Sequence, residues 1–386
     1  MNDEDIEGFE ELFVNEESEK TFNISNKIKP WYEPIHLPLS IIEILETWSK
    51  INSSSRRVGI CPGDSNSLDG MFIHSWGEFH VEQPSRLTSI IEHLHNSLWL
   101  KYKCYWKLIC GKEITNEQIK LVHSQKFLDD FLLIEHGEIV DDNLLSMRTL
   151  LNANGKYNFQ SISPIITRAC RIAAGSTINL IESVIKNEID FGFALIRPAG
   201  HHSSTDSIGT FCGLNSISIG AVYAIEILKL NRILILDWDV HRSGGTEQIL
   251  QQISNEKKHK YRLIDIYAAF GKSSYSNNIT YSNCKLIDLY KKNQIPGDKE
   301  YIELFDNDII PDIIQYSPSL ILISAGYDSA KGESEECAQL TPDGYFNMTK
   351  KLKQLNIPLV FILEGGYQQQ SLIQSIEATF KALLDL

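Results

Sequence analysis

Short apolar runs alternate with longer amphipathic segments along most of the chain. The apolar runs are rich in Ile, Leu and Val and have the length of buried strands, whereas the longer segments repeat apolar residues at helical spacing. The pattern predicts strands near residues 58–61, 191–196, 232–236, 262–266, 319–324 and 358–363, and helices near 84–96, 163–186, 215–229, 301–316, 343–355 and 370–384. This alternation is typical of an α/β fold built on a parallel sheet.

The N-terminal part departs from this pattern. Residues 1 to about 20 are dominated by Asp and Glu, which predicts a disordered tail. Farther on, Ile41, Ile44, Leu45 and Trp48 fall at helical spacing and predict a short helix that docks on the core. We therefore divide the chain at its polar patch into an acidic tail with a docking helix (1–54) and one large domain (55–386).

Polar side chains cluster directly after one predicted strand. The segment Asp237-Trp238-Asp239-Val240-His241 follows the apolar run 232–236. Because side chains alternate along an extended segment, Asp237, Asp239 and His241 point to the same side. Three potential ligands at one point are costly unless a cation lies among them. The segment therefore predicts a divalent-metal site, with a solvated strand end as the alternative.

Three further predicted strands are also followed by small residues and then by polar ones. The segments are Arg197-Pro198-Ala199-Gly200-His201-His202, Ser324-Ala325-Gly326-Tyr327-Asp328 and Glu364-Gly365-Gly366-Tyr367. Open α/β sheets bind their ligands at the carboxyl ends of the strands. We therefore expect all four segments to meet on one rim of the sheet.

The composition narrows the class of protein. With 42% hydrophobic and 22% charged residues in 386, the chain is typical of a soluble globular protein. No apolar run has the length of a transmembrane helix, and the acidic start is unlike a signal peptide. Seven cysteines without framework spacing indicate reduced thiols. We expect a cytoplasmic or nuclear protein that is not secreted and does not bind a membrane.

The net charge bears on the partners. A formal charge of -14 argues against direct nucleic-acid binding, which needs a basic stripe. The same charge is compatible with cationic substrates, such as lysine-rich tails or polyamines, because it attracts them over a long range. The oligomeric state is not predicted by the sequence.

The four polar segments together resemble the zinc-dependent histone deacetylase family, within the broad group that includes acetylpolyamine amidohydrolases. Weaker similarities lie in His80-Val81-Glu82-Gln83-Pro84-Ser85-Arg86-Leu87, Leu121-Val122-His123-Ser124 and Leu340-Thr341-Pro342-Asp343-Gly344-Tyr345. The resemblance covers roughly residues 55–386 and is closer to the class II branch than to class I. It implies an arginase-like α/β fold, in which an open parallel sheet is flanked by helices and the active site lies at the carboxyl ends of the strands.

The resemblance also implies a zinc site. Asp239, His241 and Asp328 are expected to bind the ion, and hydrolytic zinc sites leave one further position open. Zinc at such a site activates water at neutral pH. For Asp328 alone, a helix N-cap or a turn aspartate is the alternative interpretation.

The expected catalytic groups surround this site. By the resemblance, His202 is the general base, and His201 is its electrostatic partner, paired with the carboxylate of Asp237. Tyr367 is expected to donate its O–H to the oxyanion of a tetrahedral intermediate. The alternatives are a pair of ordinary loop histidines and a packed surface tyrosine.

Two more residues are expected to contact the substrate. Phe211 matches the wall of the tunnel that holds the aliphatic stem of acetyl-lysine, although the same ring could belong to the core. Gly366, together with Gly365, lets the backbone bend close to the site.

Some positions depart from the family pattern. After Asp-Val-His the family usually continues His-Gly-Asn/Asp-Gly-Thr, whereas this chain has Arg242-Ser243-Gly244-Gly245-Thr246. Gly244 lacks the polar side chain that holds the base histidine, so we expect His202 to be less well oriented. Arg242 adds a fixed positive charge beside a metal ligand. In the family, the next strand helps bind a structural monovalent cation such as K+, for which Asp265 is the candidate here.

Three functions therefore compete. The first is a zinc-dependent hydrolase that removes acetyl or other acyl groups from N-acetyl-lysine side chains of proteins. The second is a small-molecule amidohydrolase for acetylpolyamines, because Glu335 is expected near the pocket rim, where a carboxylate favours a second cationic nitrogen; the alternative is a solvated acidic loop. The third is a catalytically weak, deacetylase-like binding protein, suggested by the changes at Arg242 and Gly244.

Overall fold

The computed structural model describes residues 39–50, 58–63, 81–136, 164–269, 283–290 and 294–386. Eight strands lie within these residues: β1 (Val58–Cys61), β2 (Trp106–Leu108), β3 (Phe191–Ala194), β4 (Ile233–Asp237), β5 (Tyr261–Tyr267), β6 (Cys284–Asp288), β7 (Leu320–Ala325) and β8 (Leu359–Leu363). They form one sheet in the order β2-β1-β3-β8-β7-β4-β5-β6. Every pair of neighbouring strands is parallel.

Helices flank this sheet. In chain order they are α1 (Leu39–Ser49), α2 (Ser85–Leu94), α3 (Leu100–Tyr102), α4 (Asn116–Ile119), α5 (Gln125–Glu135), α6 (Pro164–Ile185), α7 (Ser216–Glu226), α8 (Gly244–Gln252), α9 (Asp298–Leu304), α10 (Ile310–Tyr316), α11 (Pro342–Lys353) and α12 (Gln369–Leu384). Single π-helical turns, His95–Trp99 and Phe305–Ile309, join α2 to α3 and α9 to α10. None of the described helices is long and apolar enough to cross a membrane.

The core is built around the middle of the sheet. All residues of β4, β7 and β8 are buried, as expected for parallel strands covered on both faces. The apolar sides of the flanking helices pack on them and form one continuous hydrophobic cluster. The predicted α/β class with a parallel sheet is confirmed.

Helix α1 packs on the same core through Ile41, Leu45 and Trp48. The ring of Trp48 lies 5.4 Å from that of Trp99 and 6.1 Å from that of Trp106, measured between centroids. A helix is thus present where a docking helix was predicted. The acidic stretch 1–20 and the proposed boundary near residue 54 lie outside the described residues, and the division into two parts stays a prediction.

Several elements were not predicted from the pattern. Strand β2 has only three residues, and β6 is partly exposed, so neither has a distinctive apolar run. Helix α8 begins with two glycines, which have poor helix propensity. The predicted helix 301–316 begins earlier, at Asp298, where Glu300 accepts the backbone N–H of Gly297 at 2.9 Å.

Candidate active site at the carboxyl ends of the strands

Three central strands end at the same level. Asp237, the last residue of β4, pairs with Ser324 of β7, and Ser324 pairs with Ile362 of β8. The segments that follow these strands therefore start side by side on one rim. This register brings together the polar segments that are far apart in the sequence.

Asp239, His241 and Asp328 meet on this rim, with their potential ligand atoms all within 4.8 Å of one another. The Nδ1 atom of His241 lies 3.1 Å from Oδ1 of Asp239 and 3.1 Å from Oδ2 of Asp328. Each carboxylate also accepts a backbone N–H, from Gly365 at 2.9 Å for Asp239 and from Val240 at 2.9 Å for Asp328. The three predicted metal ligands thus form one rigid cluster.

The electrostatics of the cluster fit a bound cation. Burial, followed by the negative charge of Asp239, raises the pKa of Asp328 to about 7. Although burial opposes a positive charge on His241, hydrogen bonds to the two carboxylates and to Glu335 raise its pKa well above the ordinary value. Two carboxylates crowded at a buried point repel each other, and a divalent ion would relieve this repulsion. Carboxylate oxygen and imidazole nitrogen are both ligands that zinc accepts.

His201 lies directly behind this cluster. Its Nδ1 is 3.0 Å from Oδ2 of Asp237, and both side chains are buried. Glu364 supports the same turn, since its Oε2 accepts the backbone N–H groups of Gly200 at 2.7 Å and His201 at 3.2 Å. A Cβ atom at Gly200 would lie 2.6 Å from the carbonyl oxygen of Leu214, so the turn requires glycine. The expected pairing of His201 with Asp237 is present.

Glu364 was quoted in the sequence pattern, but its role was not predicted. Its carboxylate also lies near His201 and Cys212, in a second group of potential metal ligands. However, Oε2 accepts two backbone N–H groups and Oε1 accepts the hydroxyl of Ser324 at 3.1 Å. The carboxylate therefore serves to hold the histidine turn in place.

His202 lies beside both His201 and His241. Its ring centroid is 4.0 Å from that of His201 and 5.9 Å from that of His241. Burial, then the positive charges of these two histidines, lowers the pKa of His202 well below its ordinary value. These surroundings therefore favour the neutral form of His202, which is the form that a general base needs.

The backbone of Arg242 lies on the same segment as Gly244 and acts on the base histidine. It is the smallest of the influences on the pKa of His202, and it favours the protonated form of the ring. Arg242 itself forms an ion pair with Glu247, with Nη2 and Oε2 2.7 Å apart. The expectation that Gly244 leaves His202 less well oriented stays a prediction, whereas the charge of Arg242 is balanced by Glu247.

Tyr367 and Phe211 face each other across the site. Their rings lie edge to face with centroids 5.8 Å apart, and both side chains are half-buried. Gly366 adopts a φ of +108°, and this turn of the backbone directs Tyr367 toward the site. Phe211 is only half-buried and contacts Tyr367, whereas a ring of the hydrophobic core would be fully buried.

A buried charge network underlies this turn. Arg86 donates from Nε to the carbonyl oxygen of Gly366 at 2.7 Å and from Nη2 to that of Glu364 at 2.6 Å. Its guanidinium lies 4.9 Å over the ring of Tyr367. Glu82 joins it to Arg197, contacting Arg86 at 3.2 Å and Arg197 at 2.8 Å. The sequence contained Arg86 in a weakly similar segment, but nothing there indicated its link to Tyr367.

Asp265 lies next to Asp237 in the sheet and is fully buried. Its Oδ2 accepts the backbone N–H of Ser243 at 2.9 Å and the hydroxyl of Ser243 at 2.8 Å. Its Oδ1 has no hydrogen-bond partner among the described residues. Burial, followed by the charge of Asp237, raises the pKa of Asp265 well above its ordinary value.

Glu335 reaches the metal-ligand cluster from the solvent side. Its Oε2 lies 3.0 Å from Nε2 of His241, the nitrogen that faces away from Asp239 and Asp328. The side chain is 37% exposed, so it contacts both the cluster and solvent. The alternative of an acidic loop that is only solvated does not fit this contact.

Comparison with known proteins agrees with this geometry. A family model described as "Histone deacetylase domain" matches residues 80–383. The chain belongs to the histone deacetylase family. Histone deacetylase 15 of Arabidopsis thaliana is 30% identical over 91% of this chain, and Polyamine deacetylase HDAC10 of Danio rerio is 31% identical over 79%. The crystal structure of the HDA15 HD domain matches with a TM-score of 0.71 and 27% identity, covering 86% of this chain and 90% of that one.

The family assignment and the arginase-like fold class expected from the sequence are therefore confirmed, and the chain carries a deacetylase domain. The chain spans 61% of the length of Histone deacetylase 15 and 44% of that of Polyamine deacetylase HDAC10. The two relatives are named for different substrates. Their names therefore do not decide which substrate this chain acts on. That question depends on the geometry of its own site.

Proposed function

We propose that this protein is a zinc-dependent hydrolase that removes acetyl groups from N-acetyl-lysine side chains of proteins. The observation that carries the proposal is the cluster of Asp239, His241 and Asp328 with the ring of His202 5.9 Å from that of His241. Asp239, His241 and Asp328 would hold the ion. A bound divalent metal supplies Lewis-acid activation of the amide carbonyl and of water.

The two adjacent histidines have different roles in proton transfer. A ring nitrogen of His202 accepts a proton from the attacking water and later delivers it to the leaving amine. The backbone of Arg242, which favours the protonated form of this ring, would assist the step in which His202 takes up the proton. His201, with Asp237 3.0 Å from its Nδ1, supplies a buried, fixed charge pair behind the reacting atoms.

The substrate contacts complete the site. The O–H of Tyr367 stabilises the negative charge that develops on the acetyl oxygen. Phe211 packs against the aliphatic stem of the substrate, and the backbone at Gly366 borders the same space. We expect these contacts to favour a straight, unbranched alkyl amine.

An assay with a fluorogenic acetyl-lysine peptide, with and without a chelator, tests the proposal. We expect turnover in the zinc-loaded protein and loss of turnover after chelation that added zinc restores. Asp328→Ala should lose the metal, measured by elemental analysis. Stoichiometric metal binding without turnover of any acetylated amine would favour the catalytically weak binding protein.

An acetylpolyamine is the second candidate substrate, favoured by the position of Glu335. A carboxylate 3.0 Å from His241 and 37% exposed is placed to attract a second ammonium group of a bound substrate. The net charge of -14 acts in the same direction. Acetylspermidine and the acetyl-lysine peptide should be compared for wild type and Glu335→Leu; a loss of kcat/KM confined to acetylspermidine would favour the polyamine.

Two further assignments belong to this proposal. Asp265, with one oxygen unsatisfied, is proposed to bind a structural monovalent cation such as K+, which favours oxygen ligands. We also propose a cytoplasmic or nuclear location, without direct binding to nucleic acid or to membranes, on the grounds of charge and composition. Fractionation of the cells that make the protein tests the location.

A further inference from the structure

Glu333 follows the metal-ligand Asp328 by five residues, yet its side chain reaches the start of α12. It is only 4% exposed. Its Oε2 accepts the backbone N–H of Tyr367 at 3.1 Å, its Oε1 accepts that of Gln368 at 3.0 Å, and the hydroxyl of Ser371 donates to Oε1 at 3.0 Å. We propose that Glu333 is a positioning residue for Tyr367, which it holds in the orientation needed to donate its O–H. This inference rests on the proposed role of Tyr367.

A single peptide group, just before Tyr367, is held at both ends. The peptide bond between Gly366 and Tyr367 has its C=O held by Arg86, at 2.7 Å, and its N–H held by Glu333. A cation at the oxygen end and an anion at the nitrogen end match the dipole of the peptide. Fixing this peptide plane fixes the direction in which Tyr367 leaves the backbone.

Without such a clamp the turn would have unusual freedom. Two glycines precede Tyr367, and Gly366 adopts a φ of +108°, in the left-handed region. Glycine samples more backbone conformations than other residues. Oxyanion donors act through preorganisation, so a Tyr367 that moved among several orientations would stabilise the transition state less.

A helix cap is the competing explanation. The first N–H groups of α12 lack partners within the helix, and a carboxylate at this end is stabilising. However, α12 begins at Gln369 with Gln368 as its N-cap, so the N–H of Tyr367 lies before the helix. Burial also raises the pKa of Glu333, so the ionised side chain is held there at a cost in free energy.

The test is a double-variant comparison on the zinc-loaded protein. Glu333→Gln should lower kcat on the order of 10-fold, because a small misplacement of a catalytic group has effects of this size, while KM stays within about twofold and the metal content is unchanged. In a Tyr367→Phe background the same substitution should have no further effect, since the two residues act through one hydroxyl. Glu336→Gln is the matched control, because Glu336 is exposed on the same loop.

Amide hydrogen exchange supplies a readout that does not depend on turnover. Glu333→Gln should accelerate exchange in the peptide that spans residues 366–371, and Glu336→Gln should not. Glu333→Asp, which keeps the charge but shortens the side chain, should give an intermediate result and serves also where Glu333→Gln does not fold. Unchanged exchange and unchanged kcat would show that the clamp does not exist.

Different results would contradict the oxyanion role of Tyr367 and the positioning role of Glu333. If Tyr367→Phe has the turnover of wild type, the proposed oxyanion role is wrong and the clamp inference falls with it. If Tyr367→Phe is slow but Glu333→Gln lowers kcat by the same factor in both backgrounds, the proposed function stands and the positioning role of Glu333 is wrong.

Discussion

Arg242 and Glu247 form an ion pair, with Nη2 and Oε2 2.7 Å apart and both side chains largely buried. The pair anchors Arg242, whose backbone favours the protonated form of His202. The pair thus stabilises the segment that contains Gly244 and leads into α8. We therefore expect it to influence both the stability of this segment and the orientation of His202.

Removing one partner of this pair should damage both properties. Glu247→Ala removes the carboxylate that pairs with the guanidinium of Arg242, and breaking a buried pair costs about 3 kcal/mol. We expect a lower free energy of unfolding, measured by denaturant titration, and a reduced kcat with metal content unchanged. Arg242→Ala combined with Glu247→Ala should recover part of the stability. If the double variant is less stable than Glu247→Ala, the pair is not the source of the effect.

The pKa of Asp328 predicts a pH dependence for the metal-free protein. Its value of about 7 lies above the roughly 3.9 of an unfolded aspartate. The folded state therefore binds more protons between these values, so this contribution to stability is present at low pH and is lost as the pH rises toward 7. For chelated wild type we expect the free energy of unfolding to fall between pH 5 and 7.5, and to fall less for Asp328→Asn. Parallel curves for the two proteins would contradict the assignment.

Zinc should oppose this fall in stability with rising pH. The metal binds the ionised carboxylates, so binding releases protons and the affinity rises with pH. The melting temperature of the loaded protein should therefore exceed that of the chelated protein by more at pH 7.5 than at pH 5.5. A constant difference across this range would indicate that the metal lies away from Asp328.

The rim could be predicted from the sequence because strand ends and their polar segments are local features. Asp239, His241 and Asp328 each follow an apolar run, and parallel strands bring such ends together. The supports could not be predicted in this way. Glu333 and Arg86 reach the backbone next to Tyr367 from other parts of the chain, and no local pattern indicates such contacts.

The position of Tyr367 predicts a selective effect on the chemical step. Tyr367→Phe removes only the O–H, and loss of one preorganised oxyanion donor typically costs about 10²-fold in kcat. We expect this loss with unchanged metal content and an unchanged melting temperature, because the ring still packs against Phe211. Steady-state kinetics on the acetyl-lysine peptide measure it. Equal rates for variant and wild type would show that the phenol is structural.

The buried carboxylate of Asp265 predicts a response to monovalent cations. Burial, followed by the negative charge of Asp237, raises its pKa well above that of an unfolded aspartate, so its contribution to stability is lost as the pH rises through the folded pKa. A bound K+ would offset this loss by contacting the ionised oxygen. At pH 8 we therefore expect added KCl to raise the melting temperature of wild type more than that of Asp265→Asn, with tetramethylammonium chloride at equal ionic strength as the control. Asparagine is close to aspartate in shape, so the comparison isolates the charge. An equal response of both proteins to KCl, or equal effects of the two salts on wild type, would show that Asp265 does not bind the cation. Its carboxylate would then be stabilised by the hydrogen bonds from Ser243 alone.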